Sequence, residues 1–322
     1  MSELERAAEA IALAPALALA CHQTPDGDAL GSMLGLAILA AEQGKEVVAS
    51  WPDPFLVAPH YTFLPGLELA SKPMDYPRAP DVMVTFDCGS IARLGELAQA
   101  ARSARELVVI DHHVSNDGYG TINVIDPDAA ASAVVVRRLL ELLDWPLNRD
   151  AAECLYTGLV CDTGRFQYDN TTPEVFHLAE ELSSFGLPIA EITRQLFEQH
   201  RLAYMKLAAA AIERAEYDPD RRFVATWVTA EDFRRYGVEI EETEGLIDLI
   251  RRTSEADVSC VVKETPEGVR VSLRAVSDFD VSLVAVGFGG GGHRRAAGFT
   301  SERPVGEVLA MIRERLPVVT CP

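Results

Sequence analysis

The sequence has few basic residues for its acidic content, and this shortage excludes a large class of partners. Its 322 residues include 29 Lys and Arg against 49 Asp and Glu, a formal net charge of −20. Proteins that coat long duplex DNA or an anionic membrane depend on basic residues, which displace counterions from the polyanion. We therefore expect neither partner. A small anionic ligand in a local pocket is still compatible with this charge.

Paired cysteines, a signal peptide and a long apolar run are also missing. The six cysteines form no CxxC pair, which is typical of reduced intracellular thiols. Residues 1–14 contain glutamate and lack the basic start of a signal peptide. The longest nearly apolar run, 29–41, is too short to span a bilayer and contains glycine and serine. These absences predict a cytoplasmic protein.

What the sequence does contain is an alternation of short apolar runs and helical patterns, which is typical of an α/β protein. Strands are predicted over 17–21, 46–50, 82–86 and 107–110. Helices are predicted over 29–43, 91–101, 132–143, 151–160 and from Pro173 to Gly186. This order predicts a mostly parallel sheet with helices on both faces.

A helical segment over 189–216 is expected to connect this domain to a second, smaller one. Beyond it, a strand over 222–228 and a hairpin of 257–263 with 269–275 predict a mixed α/β lobe, completed by helices from 281 and over 304–315. We predict a catalytic domain over 1–188, a helical linker over 189–216 and a substrate-binding domain over 217–322.

Four short segments at predicted strand or helix ends concentrate histidine and aspartate. HQTPDGDALGS contains His22, Asp26 and Asp28, VTFDCGS contains Asp87, VVIDHHVSND contains Asp111, His112 and His113, and LVCDTGRF contains Asp162. The carboxyl ends of parallel strands share one edge of the sheet, where ligands bind. We expect these side chains to converge there.

Such a cluster predicts a site for two metal ions. Packed carboxylates resist ionisation unless a cation lies among them, and oxygen ligands with a minority of imidazoles suit Mn²⁺ or Mg²⁺. Two ions need one bridging carboxylate and several further ligands. Six residues supply this set, with Asp111 or His113 left for a supporting or substrate contact: His22, Asp26, Asp28, Asp87, His112 and Asp162.

Three cysteines, Cys21, Cys88 and Cys161, lie beside these candidate ligands. Adjacent residues of extended backbone point to opposite sides. If His22 and Asp87 face the metals, Cys21 and Cys88 should face the core as small buried side chains.

The second lobe contains the glycine-rich segment GFGGGGHRRAAGF. Four successive glycines disfavour a helix or strand interior, but they let the backbone approach an anion and donate N–H groups to it. Arg274, at the end of a predicted strand, can bind phosphate through two hydrogen bonds. No Gly-Lys-Ser/Thr follows, so the segment is not a Walker A loop.

Together, the motifs HQTPDGDALGS, FDCGS, IDHHVSND and GGGGHRRAAGF resemble those of the DHH phosphoesterases, named for the triplet Asp111-His112-His113. The resemblance spans nearly the whole chain, with the motifs in the family's order. Within the family, the chain looks most like the bacterial nanoRNase A type, whose members are oligoribonucleases that also act on 3′-phosphoadenosine 5′-phosphate.

The resemblance implies a role for each matching residue. His22 and Asp26 would bind one Mn²⁺, Asp28, His112 and Asp162 the other, and Asp87 would bridge them, with Mg²⁺ or Co²⁺ as substitutes. His113 would contact the scissile phosphate and Asp111 would orient the histidines, which makes these two and Asp87 the catalytic set. The other end of the substrate would be held by Arg274, Gly290, Gly291, Gly292 and His293, with Arg165 and Asn170 as further contacts.

The resulting prediction is a Mn²⁺-dependent phosphoesterase, acting by two-metal hydrolysis. Its substrates would be oligonucleotides of about two to five residues, including dinucleotides such as pApA, and 3′-phosphoadenosine 5′-phosphate. A homodimer is also considered. The open alternatives are a cyclic-dinucleotide phosphodiesterase, an inorganic pyrophosphatase or exopolyphosphatase on the same metal site, and a nucleotide-binding sensor without catalysis.

Overall fold

The computed structural model of the protein describes residues 1–266 and 268–319. It divides into two compact units, the first from Met1 to Leu196 and the second beginning at Phe197. The division falls inside the predicted linker 189–216, which forms two separate helices instead of one continuous segment. The predicted domain limits themselves stay a prediction.

The first unit is built on a five-stranded parallel sheet. Its strands are β1 (Ala16–Cys21), β2 (Glu46–Ser50), β3 (Val82–Phe86), β4 (Glu106–Asp111) and β5 (Ile122–Ile125). They are arranged in the order β2-β1-β3-β4-β5. Its helices are α1 (Glu3–Leu13), α2 (Gly27–Glu42), α3 (Ala98–Ser103), α4 (Ser132–Leu142), α5 (Arg149–Asp162), α6 (Pro173–Ser183) and α7 (Ile189–Phe197).

Both faces of this sheet are covered. Every residue of the central strand β3 is buried, although alternate side chains of a strand point to opposite faces. On one face, Ala18, Ala20 and Met83 pack in a cluster with Leu94, Leu97 and the alanines of α3. Helices α2 and α4 pack against the sheet as well. The predicted α/β fold class is confirmed.

Two local features of this unit differ from the expectation. The helix predicted over 91–101 is broken at Gly95, whose positive φ of 49° separates two short 3-10 helices within Ile91–Leu97, and α3 follows them. The sequence pattern also missed α1 and the short edge strand β5. At the start of α1, the Ser2 hydroxyl and the Glu5 carboxylate form a capping box.

The second unit contains a six-stranded mixed sheet, as predicted for the smaller lobe. Its elements are α8 (Leu202–Glu213), β6 (Glu216–Asp218), β7 (Phe223–Val228), α9 (Ala230–Tyr236), α10 (Leu246–Ile250), β8 (Val258–Thr265), β9 (Gly268–Ala275), α11 (Val281–Val286), β10 (Gly291–His293), β11 (Ala296–Ser301) and α12 (Val305–Arg315). The strand order is β10-β11-β9-β8-β7-β6. The predicted hairpin is confirmed by the antiparallel pairing of β8 with β9, although Glu267, in its predicted turn, lies outside the described residues.

The described cysteines are free thiols, and four of them are buried: Cys21, Cys88, Cys154 and Cys260. Burial raises the pKa of Cys21 and Cys260, which keeps these thiols protonated. Cys88 packs in the same cluster as Ala20 and Leu94, so it faces the core as expected. Cys321 lies outside the described residues. Among the described helices, none is both long and apolar enough to cross a bilayer.

In the second unit, a partly buried ion pair joins the end of α8 to the start of α9. Arg214 donates to both carboxylate oxygens of Asp232, over 3.0 Å to Oδ1. Thr229 donates to Oδ2 through its backbone N–H and its hydroxyl, over 2.9 and 2.8 Å. The Arg214 hydrogen bond holds the pKa of Asp232 well below its usual range. The charged form of this carboxylate therefore stabilises the folded state.

We expect Asp232→Asn to lower the free energy of unfolding at pH 7 by ~2 kcal/mol, because charge-assisted hydrogen bonds are lost. Since the folded pKa is depressed, this stabilisation is present above the unfolded value of ~3.9 and is lost as the pH falls through the lower folded value. Urea unfolding between pH 7 and pH 2 should show the two proteins converging in acid. Glu231→Gln, which removes an exposed partner of Arg234, is the matched control and should cost less than ~0.5 kcal/mol.

Candidate metal centre

The four predicted segments converge at the carboxyl edge of the parallel sheet. His22 directly follows β1, Asp87 directly follows β3, and Asp111 is the last residue of β4, with His112 and His113 next in the chain. Asp26 caps α2 and Asp28 lies in its first turn. Asp162 comes from a helix, as the last residue of α5. The structure thus brings together all six predicted ligands, together with Asp111 and His113.

Asp87 lies at the centre of this group. Its backbone φ of 51° is left-handed, an uncommon conformation for a residue with a side chain. The carboxylate is 2% exposed, and its two oxygens face different histidines. Oδ2 lies 3.5 Å from His22 Nε2, and Oδ1 lies 3.4 Å from His112 Nε2. This is the arrangement expected of a carboxylate that bridges two ions.

On one side of Asp87, a first group contains His22 and Asp26. Together with Asp87, each of these two residues offers one possible ligand atom, and the three atoms lie within 4.8 Å of one another. His22 Nδ1 lies 2.8 Å from the Gln23 carbonyl oxygen. Because a carbonyl only accepts, the proton belongs on Nδ1, and Nε2 is then the nitrogen with a lone pair that could bind a metal. Asp26 Oδ2 lies 3.8 Å from that nitrogen.

On the other side, a second group contains Asp28, Asp162 and His112. His112 Nε2 lies 3.0 Å from Asp162 Oδ2 and 4.0 Å from Asp28 Oδ2. His112 Nδ1 lies 3.1 Å from the Ala129 carbonyl oxygen, which directs Nε2 toward the carboxylates in the same way.

The electrostatics of both groups indicate a cation among the carboxylates. Burial, followed by the neighbouring carboxylates, raises the pKa of Asp28, and burial also raises the pKa of Asp162. Burial and Arg93 oppose protonation of His22, but the neighbouring carboxylates of Asp26 and Asp87 raise its pKa to about 9. Protons on the imidazoles would balance part of the negative charge of the carboxylates. Divalent metal can supply that balance instead, with release of those protons. Oxygen and imidazole donors fit Mn²⁺ or Mg²⁺.

A second layer of residues orients these side chains, in which the sequence analysis predicted Asp111 but missed Asn116. Asp111 Oδ1 accepts from the His112 backbone N–H over 2.8 Å and lies 2.7 Å from His113 Nδ1. Asn116 Nδ2 donates to Asp111 Oδ2 over 2.5 Å and to the Cys88 carbonyl oxygen over 3.2 Å. Asn116 thus links the loops that follow β3 and β4. Its only sequence signal was its place in the motif IDHHVSND.

The N-terminus of α4 holds Asp28 from the opposite side. Its carboxylate accepts the backbone N–H groups of Ser132 and Ala133, over 2.5 and 3.0 Å. Ser132 Oγ also donates to Asp87 Oδ1 over 3.2 Å. The first turn of a helix favours a carboxylate because its N–H groups have no partner within the helix. The predicted helix start at Ser132 was the available signal for this contact.

Arg165 and Asn170 lie in the loop after α5. Gly164, Arg165 and Phe166 have consecutive left-handed φ values of 54°, 63° and 62°, a strained backbone of the kind found at functional sites. Asn170 Nδ2 donates to the carbonyl oxygens of Asp162 and Ala130, both over 3.0 Å. Asn170 therefore braces the backbone of Asp162. The predicted substrate contacts of Arg165 and Asn170 stay predictions.

In the second unit, the glycine-rich segment is partly an edge strand and not wholly a loop. Gly291 to His293 form β10, in which Gly292 has a φ of 134° and an added Cβ would lie 2.5 Å from the Ala296 carbonyl oxygen. At Gly290, a Cβ would lie 2.2 Å from the Gly298 carbonyl oxygen. These two positions require glycine for strand pairing.

Gly291 is different, because an added Cβ there would meet no atom within 4 Å. His293 and Arg274 are both paired with Ala296, from opposite sides of β11. Residues that pair directly share a face of the sheet. The structure therefore brings His293 and Arg274 to one face.

Comparison with known proteins agrees with this architecture. The model of the DHH family N-terminal domain matches residues 17–159, and that of the DHHA1 domain matches residues 222–316. The bifunctional oligoribonuclease and PAP phosphatase NrnA of Thermus thermophilus is 33% identical over 306 residues, covering 92% of this chain and 89% of that protein. The chain belongs to the DHH family. The predicted family is confirmed.

Other known proteins are also similar to this DHH protein. The protein of the same name from Bacillus subtilis is 28% identical over 294 residues, covering 89% of this chain and 90% of that one. The crystal structure of an exopolyphosphatase-related protein from Bacteroides fragilis covers 97% of this chain, and 94% of its own, with a TM-score of 0.86 and 24% identity, which shows a shared fold. DHH phosphoesterases are metal-dependent hydrolytic enzymes, and this chain has histidine and aspartate groups that could bind a metal.

Proposed function

We propose that this protein is a Mn²⁺-dependent phosphoesterase that cleaves short oligonucleotides, including dinucleotides such as pApA, to mononucleotides. We also propose that it converts 3′-phosphoadenosine 5′-phosphate to AMP and phosphate. The observation that carries the metal chemistry is Asp87, whose two oxygens face His22 and His112. The substrate class is supported by the relatives from Thermus thermophilus and Bacillus subtilis, which are named oligoribonucleases and PAP phosphatases.

The six predicted ligands would hold two ions. His22 and Asp26 lie on one side of Asp87, and Asp28, His112 and Asp162 lie on the other. When bound, such ions lower the pKa of water and neutralise charge on phosphate oxygens. Mn²⁺ is proposed as the native metal, with Mg²⁺ or Co²⁺ as substitutes.

The chain's own residues would position the substrate. His113 Nδ1 contacts Asp111 Oδ1, and the other ring nitrogen of His113 would contact the scissile phosphate. Arg274, His293 and the backbone of Gly290–Gly292 would hold a phosphate at the other end. The net charge of −20 repels long polyanions, and this favours fragments as substrates.

The test is a substrate panel. The purified protein with Mn²⁺ is incubated with labelled oligonucleotides of two to twenty residues, 3′-phosphoadenosine 5′-phosphate, a cyclic dinucleotide and inorganic pyrophosphate, and products are resolved over time. We expect mononucleotides from the shortest chains and phosphate from the bisphosphate. Turnover confined to pyrophosphate or to the cyclic dinucleotide would replace the proposal with that alternative, and binding without turnover would favour a sensor. The homodimer and the cytoplasmic location stay predictions.

The contact between Asn116 and Asp111 leads to a prediction for catalysis. Asn116→Leu removes the two hydrogen bonds that Nδ2 donates, and the one that Oδ1 accepts from the Gly118 N–H, with little change in volume, so Asp111 and His113 lose their orientation. We expect kcat to fall ~10–100-fold, as is usual for residues that orient a metal site, with Mn²⁺ affinity changed less because Asp111 is not a proposed ligand. Steady-state kinetics and calorimetry measure the two effects. Asn148→Ala removes the cap of α5, so it should lower stability by ~1 kcal/mol and leave kcat unchanged.

A further inference from the structure

Three cations lie on one face of strands β8 and β9 in the second unit. Lys263 in β8 is paired directly with Arg270 in β9, so their side chains leave the same face about 5 Å apart. Arg274 is four residues beyond Arg270 on the same strand, and therefore on this face as well. Ser272 lies between the two arginines.

This arrangement is electrostatically unfavourable by itself. Like charges directly opposite each other destabilise a sheet, and Lys263 is only 3% exposed. Burial, despite the nearby Glu244, lowers the pKa of Lys263 to about 8. Within residues 1–266 and 268–319, Lys263 Nζ donates one hydrogen bond, to the Thr243 carbonyl oxygen over 3.3 Å. A buried ammonium group has two further protons to donate.

The neighbouring carboxylates balance these cations only loosely. Arg270 Nη2 lies 3.6 Å from Glu244 Oε1, and Arg274 Nε lies 4.0 Å from Asp248 Oδ1, so both contacts are longer than hydrogen bonds. The Arg270 side chain is 38% exposed. Its guanidinium can therefore reach a ligand, and the cluster has unused capacity for an anion.

On this face, strand β9 contributes polar side chains and no part of the apolar core. The core that α8 and α10 form on this face includes Val224 and Val261, from β7 and β8, but no described residue of β9 or β11. Beside β9, strand β11 presents Ala296, Gly298 and Thr300, paired with Arg274, Ser272 and Arg270. These three residues are uncharged and have small side chains, so they add no carboxylate beside the cations.

We propose that Arg270, supported by Lys263, is a second phosphate subsite, which binds a phosphate of an oligonucleotide longer than a dinucleotide. The four residues from Arg270 to Arg274 separate the two arginines by ~13 Å along the strand. The two arginines would therefore bind different phosphates of the same oligonucleotide. This inference rests on the proposed function, and it makes Arg270 a determinant of substrate length.

The experiment compares kcat/KM for a pentanucleotide with that for a dinucleotide, in the Mn²⁺-loaded protein and in Arg270→Gln. We expect the pentanucleotide-to-dinucleotide ratio to fall about tenfold in the variant, through a higher KM for the pentanucleotide. Arg270→Lys keeps the charge and should restore the ratio to within about threefold. Arg234→Gln, which changes an exposed arginine of α9 in the same unit, should leave the ratio unaltered.

The possible outcomes separate this inference from the proposed function. If the unmodified protein cleaves neither substrate, the proposed function fails and the subsite with it. If it cleaves both, and Arg270→Gln lowers kcat/KM equally for both or for neither, only the subsite is overturned. A Lys263→Met variant tests the supporting cation independently and should lower the same ratio.

Discussion

Replacing Asp87 by asparagine is expected to lower kcat/KM by about a thousandfold or more, which is ~4 kcal/mol of transition-state stabilisation. The two oxygens of Asp87 lie 3.5 and 3.4 Å from the Nε2 atoms of His22 and His112, between the two ligand groups. Asparagine has one oxygen and no charge, so it can no longer join both groups. We also expect the number of Mn²⁺ ions bound per chain, measured by calorimetry, to fall.

Asparagine is the informative replacement because of the backbone. Asp87 has a left-handed φ of 51°, which asparagine tolerates better than alanine does. Loss of activity in Asp87→Asn would therefore report the carboxylate and not backbone strain, and circular dichroism checks the fold. Asp75→Asn, at an exposed position of the same unit, is the matched control. Activity retained by Asp87→Asn would show that this carboxylate does not bridge two ions.

The candidate ligands could be predicted because their signal is local. His22 and Asp87 directly follow strands whose apolar runs are visible in the sequence, and in a parallel sheet those strand ends meet at one edge. The register of β1 with β3 then brings the two residues together without further information. The resemblance to DHH phosphoesterases indicated which residues would bind which ion. The spacing of the residues alone does not determine this assignment.

The supporting contacts could not be predicted, because they depend on distant parts of the chain. Ser132 donates to Asp28 across 104 positions, and Asn116 reaches the Cys88 carbonyl across 28. Contacts between residues so far apart leave no periodic pattern in the sequence. The glycine-rich segment shows the same limit: glycine disfavours strands in general, yet Gly290 and Gly292 are needed because the β11 backbone approaches too closely for any Cβ.

A second large effect is expected from Gly158→Ala, a substitution within the close packing of α2 against α5. A Cβ at Gly158 would lie 2.7 Å from Asp28 Oδ1 and 3.1 Å from the Ala133 Cβ. Asp28 Oδ1 accepts from the Ala133 N–H and the Ser32 hydroxyl, so the carboxylate cannot retreat without breaking these bonds. We expect Mn²⁺ affinity to fall ~10–100-fold. Overpacking should cost ~1–3 kcal/mol of stability, partly offset by ~1 kcal/mol of helix propensity.

Gly35→Ala is the control that separates the effect on Mn²⁺ affinity from the effect on stability, because Gly35 lies in the same pair of helices and is also buried. There the new Cβ would lie 3.1 Å from Leu155 Cδ2, the end of a flexible side chain, and 3.6 Å from the Ala151 carbonyl oxygen. We expect a stability change within ~1 kcal/mol and an unaltered Mn²⁺ affinity, measured by urea unfolding and calorimetry. If Gly158→Ala bound Mn²⁺ as tightly as the unmodified protein, Asp28 would not be a ligand held in place by the packing of α5.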